Sequence, residues 1–178
     1  HDSPKYVSEG YPLITSKNLK EGKITFSKIK YISKTDYTLI NKRSKVDIGD
    51  VLFAMIGTIG NPVEVKEKPN FAIKNVALFK LKEIQSPRFL TYLLRTPFYK
   101  KKFIDDARGT TQKFVSLGYL REFIFNCPSI EDQESIIKKL DVICNDIQKK
   151  TTQSKQKLQE LHQLRSSILT QELKSEAA

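Results

Sequence analysis

SIEDQESIIKKLDVICNDIQKKTTQSKQKLQELHQLRSSILTQELKSEAA, residues 129–178, runs to the end of the chain without a glycine or a proline. All seven glycines and all seven prolines of the 178-residue sequence lie upstream, between Pro4 and Pro128. Free of both breakers, the stretch predicts one long α-helix that begins at Ser129, with Asp132 three positions on as an imperfect capping box. Its apolar positions form two sets, Ile136, Leu140, Ile143 and Ile147, then Leu158, Leu161, Leu164 and Ile168, in steps of three and four. Such steps make a coiled-coil seam. Between the sets, QKKTTQSKQK (Gln148–Lys157) has no apolar side chain, so the seam has two greasy ends and a polar waist. At ~1.5 Å per residue, about 45 helical residues reach ~65 Å, more than a domain of ~130 residues can cover. The helix is therefore expected to need a partner helix, and an antiparallel coiled coil between two copies would lay one greasy end against the other.

Upstream the punctuation is frequent and the periods are short. Tyr11 to Thr15 and Lys23 to Ile32 read as strands, the second alternating Ile24 and Phe26 with Thr25 and Ser27. Thr35 and Asp36 start a short helix across Tyr37, Leu39 and Ile40. Val51 to Ile56, Pro62 to Val65 and Phe71 to Leu81 are apolar β-rich segments parted by Gly57, Gly60, Pro69 and Asn70. Ser86-Pro87 and Thr96-Pro97 each set a hydroxyl N-cap before a proline at the first helical position, predicting helices over 87–94 and 97–106. Phe89, Leu90, Leu93 and Leu94 line a face of the first, and Phe98 and Phe103 are expected to pack in the core from the second. A loop spans Gly109 to Phe114, Ser116 caps one more turn, and Glu122 to Cys127 returns as a strand. The fold class expected is α/β, or α+β-like: a small mixed sheet with short helices over 1–128, followed by one long helix over 129–178.

Charge and composition narrow the function. The chain carries 31 Lys and Arg against 20 Asp and Glu, a net +11, with a mean hydropathy of −0.42. No apolar run approaches ~20 residues, which excludes a membrane-spanning helix, and no signal-type apolar stretch precedes a small-residue cleavage site. A soluble, cytoplasmic protein is expected. Cys127 and Cys144 stand apart, without neighbouring His or Cys, so two reduced, half-buried thiols are expected and neither a disulfide framework nor a metal site. Only His1 and His162 are present, which argues against histidine general-base chemistry. The basic excess is concentrated: Lys17, Lys20, Lys23, Lys28, Lys30, Lys34, Lys42, Arg43 and Lys45 face only Glu21 and Asp36 across residues 17–45. Phe26, Ile29, Tyr31 and Tyr37 interleave with them, which makes a folded basic face and not a disordered tail. Such a face suits a phosphate backbone.

The order of motifs then becomes informative. HDSPKYVSEGYPLITSKNL, IGDVLFAMIGTIGN, FAIKNVALFKL, GTTQKFVS and NCPSIEDQESIIKKL, in that sequence and spacing, resemble the target-recognition domain and adjoining conserved helix of the DNA specificity subunits of type I restriction-modification systems. The resemblance covers nearly the whole chain. It implies a non-catalytic module that reads one half of a split DNA target. The helix would pair antiparallel with another copy, act as a ruler and dock methyltransferase (modification) and restriction subunits. It also implies no cofactor on this chain, with S-adenosylmethionine, Mg and ATP handled by the partner subunits. A whole specificity subunit has two recognition domains and two conserved helices. One of each is present here, so a half subunit or an excised fragment is expected, acting as a homodimer.

Chemistry nominates the contacts. Amides can make bidentate contacts to base edges, while lysines and hydroxyls mainly hold phosphates. Loops offering both are Ser16-Lys17-Asn18, Thr58-Ile59-Gly60-Asn61, Lys74-Asn75 and Thr110-Thr111-Gln112-Lys113, with Lys28, Lys30, Lys42 and Arg43 as phosphate partners; Gln112, Lys113 and Arg43 are favoured. Two enzymatic classes fit the residues less well. Asp50 with Glu64-Val65-Lys66 has the residue types of a metal-dependent nuclease, but Ile48-Gly49-Asp50 reads as a turn, and Glu64 and Lys66 alternate outward as solvated side chains do. Methyl transfer lacks both a glycine-rich cofactor loop after a strand and an Asn-Pro-Pro-aromatic tetrad. A coiled-coil adaptor that never touches DNA is the remaining alternative.

Overall fold

The computed structural model describes residues 4–175; His1, one of the two histidines, and residues 176–178, which the sequence assigns to the long helix, lie outside the described residues. Contacts divide the chain into two units between Glu134 and Ser135.

Among the described residues, the first unit holds nine strands and four short α-helices ahead of the start of the long helix. Strands β1 (Tyr6–Val7), β2 (Tyr11–Thr15), β5 (Lys30–Ile32) and β8 (Ala72–Lys74) form one sheet in the order β1-β5-β2-β8. Its β2–β8 pair is parallel, with Ile14 opposite Ile73, and the other pairs are antiparallel, so this sheet is mixed. Strands β6 (Val51–Ala54), β7 (Gly60–Glu64) and β9 (Val76–Phe79) form an antiparallel sheet ordered β7-β6-β9. Strands β3 (Leu19–Lys20) and β4 (Lys23–Ile24) make a hairpin through Glu21 and Gly22, whose φ of 49° and 76° suit a two-residue turn of the right twist. The helices are α1 (Lys34–Ser44), α2 (Pro87–Arg95), α3 (Pro97–Asp105) and α4 (Leu117–Glu122).

Strand alternation sorts the core. All four β6 residues are buried, and successive side chains leave opposite faces. Leu52 and Ala54 join Ile14, Leu19, Val63 and Ile73 on one side; Val51 and Phe53 join Leu90, Leu94, Phe103, Val115 and Leu120 on the other. In the mixed sheet, Leu13 and Ala72 alternate with Ile14 and Ile73, and pack with Ile32 against Tyr37 and Ile40 of α1. Tyr11 stacks on Tyr37 at 4.0 Å.

Several expectations are corrected. The run Lys23–Ile32 is not one strand: Lys28, at φ 55°, turns the chain and leaves β4 and β5 in different sheets. Phe71–Leu81 is likewise cut at Asn75, φ 57°, which ends β8 in one sheet and starts β9 in the other. A left-handed residue cannot continue an extended ladder, and asparagine tolerates that conformation better than most. Glu122–Cys127 is not a strand. Its alternation is real, with Phe123 and Phe125 packed on the core and Ile124 exposed, but among the described residues no strand pairs with it. Helix α1 begins at Lys34, just ahead of the expected start at Thr35 and Asp36, capped by Ser33 Oγ accepting from the Asp36 amide, and runs on to Ser44. Phe98 is 69% exposed while Phe103 is buried. Five residues at ~100° each put them ~140° apart, so Tyr99, at i,i+4, shares the buried face instead. Both cysteines are exposed, not half-buried.

The helical caps fall where the hydroxyl–proline pairs predict. Ser86 Oγ accepts from the Phe89 amide at 3.3 Å and Thr96 Oγ1 from that of Tyr99 at 3.5 Å; Ser116 Oγ caps α4 at 3.1 Å. The long helix α5 (Ile130–Ser175) is capped by Ser129 Oγ, which accepts from the Asp132 amide at 3.2 Å and donates to its carboxylate at 3.0 Å. Within α5, Ile136, Ile143, Ile147, Leu158, Leu161, Leu164 and Ile168 are exposed and Leu140 is half-buried.

Candidate nucleic-acid interface

A cleft of 680 Å³ opens on the first unit where six stretches separate in sequence converge. The turn after β2 contributes Lys17 and Asn18, and the β3 edge contributes Lys20. Lys28 and Lys30 come from the turn into β5, Thr58 and Gly57 from the β6–β7 loop, and Asn75 and Gln112 from two further turns. Four lysines line it, and among the described residues no aspartate or glutamate does. Tyr6 stands at the same cleft with Lys30 Nζ 4.3 Å from its ring centroid, a cation–π contact that holds the ammonium in place without neutralising it.

The glutamine arrives on a small hairpin. Arg108 and Phe114 exchange both backbone hydrogen bonds, at 2.9 and 2.8 Å, and Gly109 between them has φ +100°. A Cβ there would lie 2.4 Å from the Gln112 carbonyl oxygen, so glycine is required for the turn to close. The hairpin is tied to the β6–β7 loop by the Gly57 amide donating to the Lys113 carbonyl at 3.2 Å and the Val115 amide to that of Met55 at 3.0 Å. The Ser16 hydroxyl likewise donates to the Asn75 carbonyl at 2.7 Å, joining two other walls.

Of the residues nominated from sequence, Lys17, Asn18, Lys28, Lys30, Thr58, Asn75 and Gln112 line the cleft. Asn61, Lys74, Thr110, Thr111 and Lys113 do not line it, although Lys74 adjoins Asn75, and Thr111 and Lys113 adjoin Gln112, in sequence. Lys42 and Arg43 lie exposed on the last turn of α1, outside the lining. Two asparagines are engaged inside the fold. Asn18 is buried; its Oδ1 accepts from the Thr15 amide and hydroxyl at 3.0 and 2.9 Å, and its Nδ2 donates to the Thr25 carbonyl at 3.0 Å. Asn61, at φ 46°, donates from Nδ2 to the Leu19 carbonyl at 3.2 Å. Sequence reasoning left out Tyr6, Lys20 and Ser27. Lys20 was already in the counted basic run, but nothing local marks Tyr6, which reaches the cleft through strand pairing with β5.

The acidic candidates have another role. Asp50 is buried, and its Oδ2 accepts from the Asp47 amide at 2.6 Å and from Lys80 Nζ at 2.5 Å; Lys80 also meets Asp47 at 2.8 Å. The hydrogen bond from Lys80, and then that from Lys45, hold the Asp47 carboxyl below its ordinary range. Partial burial opposes the charge on Lys80, yet its bonds to Asp47 and Asp50 outweigh that and raise its pKa. Glu64 is 3.9 Å from Lys66. Asp50 thus clamps the turn before β6, and among the described residues no three His, Cys, Asp or Glu side chains gather as a metal set. No described helix is long and apolar enough to cross a membrane.

Comparison with known proteins places the chain among characterised relatives. The family described as Type I restriction modification DNA specificity domain matches residues 3–160. The Type I restriction enzyme EcoBI specificity subunit of Escherichia coli is 26% identical over 175 residues, covering 96% of this chain and 36% of that protein. The HsdS subunit of Thermoanaerobacter tengcongensis, known from a crystal structure, shares the fold with a TM-score of 0.57 at 17% identity, over 82% of this chain and 37% of that one. The chain spans little more than a third of the length of either relative.

Proposed function

The chain belongs to the type I restriction modification DNA specificity domain family, and from that premise we propose that it is a non-catalytic, sequence-specific reader of one half of a bipartite duplex DNA target. Its cleft takes the DNA; Lys17, Lys20, Lys28 and Lys30 neutralise phosphates and set register, while loop side chains meet base edges. Lys42, Arg43, Lys74, Thr110, Thr111 and Lys113 extend the contact beyond the cleft. Helix α5 pairs with α5 of a second copy, antiparallel, and serves as a docking surface for methylating and restriction subunits. S-adenosylmethionine, Mg and ATP belong to those subunits, and the assembly works in the cytoplasm.

The observation that carries the reading is the lining of the cleft: four lysines, three hydroxyl-bearing turns and side-chain amides, with no carboxylate among the described residues that line it. A polyanion enters such a site by releasing its counterions, so affinity must fall with salt. If about four phosphates are neutralised, log affinity for duplex DNA falls against log salt with a slope of about −4. Titrating a labelled duplex with the chain at several salt concentrations measures it. A slope near zero would overturn the reading and leave a DNA-free adaptor.

A further inference from the structure

The amides nominated as DNA contacts divide into two kinds. Asn18 and Asn61 are hydrogen-bonded within the fold, as given above. Asn75 and Gln112 are exposed at the cleft, and among the described residues nothing bonds to either side-chain amide. Both are held from behind through the backbone. Asn75 is fixed by its left-handed φ and the Ser16 bond to its carbonyl, and Gln112 by the closed Arg108–Phe114 hairpin. The Gln112 Nε2 atom also lies 3.7 Å from where a Cβ on Gly57 would stand, so the amide lies over a bare backbone with its hydrogen-bonding edge unengaged. The position is therefore ordered while its donor and acceptor stay available, which lowers the entropic cost of binding.

We propose that Gln112 reads an adenine in the major groove, with Asn75 as a second reader and the cleft lysines on flanking phosphates. The proposal rests on the DNA-reading function above and adds the base. A carboxamide presents one donor beside one acceptor in a plane. Adenine alone offers the complementary acceptor and donor, N7 and N6, on its major-groove edge; guanine offers two acceptors there and cytosine a donor.

The test is to incubate the full 178-residue chain with a random-sequence duplex pool at low salt, sequence the bound fraction, and repeat with Gln112→Ala, Gln112→Glu and Lys28→Ala. Preference for A·T at one position of the wild-type motif should fall by about tenfold or more in Gln112→Ala, with the other positions kept, since a bidentate pair discriminates by roughly that much. Gln112→Glu, which can only accept, should move that position toward C·G. Lys28→Ala should weaken all sequences alike. Because Gln112 is exposed, these variants should keep the wild-type melting profile. A wild-type motif left unchanged by both Gln112 variants, or changed at a G·C position, overturns the adenine assignment while the DNA-reading function stands. A wild-type pool without enrichment overturns both.

Discussion

Asp50 brings a carboxylate into the buried turn ahead of β6, and Lys80 answers it from the end of β9. Lys80→Met leaves Asp50 with the Asp47 amide alone and should cost about 1–2 kcal/mol, the penalty for a buried charged acceptor losing a partner, read by urea unfolding. The pH dependence has a definite sign. Asp47 has a folded pKa below its ordinary 3.8, so its contribution is complete above that value and is lost as pH falls through the lower folded one. Lys80, raised above 10.5, contributes below that value and loses its part as pH rises through the raised one. In Lys80→Met the acid unfolding limb should therefore move to higher pH, and an unmoved limb would show that the pair does not couple to folding. Gln133 is a second such residue, wholly buried in the first turns of α5. Its Oε1 accepts from the Ser86 amide at 2.9 Å, and its Nε2 donates to the Ile84 and Pro128 carbonyls at 3.0 and 2.8 Å. Gln133→Leu strands three backbone groups and should cost about 2–4 kcal/mol in the same measurement. Neither role is legible in sequence, because Lys80 lies 30 residues from Asp50, and Ser86 and Ile84 lie 47 and 49 residues from Gln133, with nothing local to announce them.

The helices were legible and the strands only in part. Hydroxyl caps before proline, and a long stretch without breakers, act through contacts within four residues, so sequence spacing is enough to place α2, α3 and α5. Strands depend on partners, and Lys28 and Asn75 adopt left-handed turns that no composition rule singles out from their apolar surroundings. The seam of α5 carries its own prediction. Seven exposed isoleucines and leucines at coiled-coil spacing form a stripe that water penalises, each side chain worth about 1.5–3 kcal/mol on burial. The chain should be a dimer at micromolar concentration by light scattering, and Leu161→Asp should make it a monomer without changing the unfolding of residues 4–134. A wild-type monomer would remove the homodimer from the proposed function.

With two recognition units joined through paired helices, helix length should set the spacing of the two half-sites. Each residue of the polar waist adds ~1.5 Å and ~100°. Seven residues inserted into Gln148–Lys157 nearly keep the seam in phase and lengthen the helix by ~10 Å, about three base pairs. Methylation of a duplex library with variable spacers, in the presence of the methylating subunit, should shift by a few base pairs with the half-site sequences unchanged. Unaltered spacing with retained methylation would mean that something other than α5 positions the units.

From its residues alone the chain could be read as a basic α/β module with one long seam-bearing helix, since charge, caps, breakers and heptad steps are local properties summed along the chain. The motif order added the family. Which residues share the cleft was not available in that way. Lys17, Lys28, Thr58, Asn75 and Gln112 lie on five separate turns, and their meeting depends on the parallel β2–β8 pairing, the crossing between sheets at Asn75 and the hairpin closed at Gly109. The fold likewise separates Asn18 and Asn61, whose amides are held by the Thr25 and Leu19 carbonyls, from Gln112, whose amide has no hydrogen-bond partner among the described residues. A side chain's chemistry is given by its type, but whether its hydrogen bonds are already engaged is decided by what the fold brings beside it.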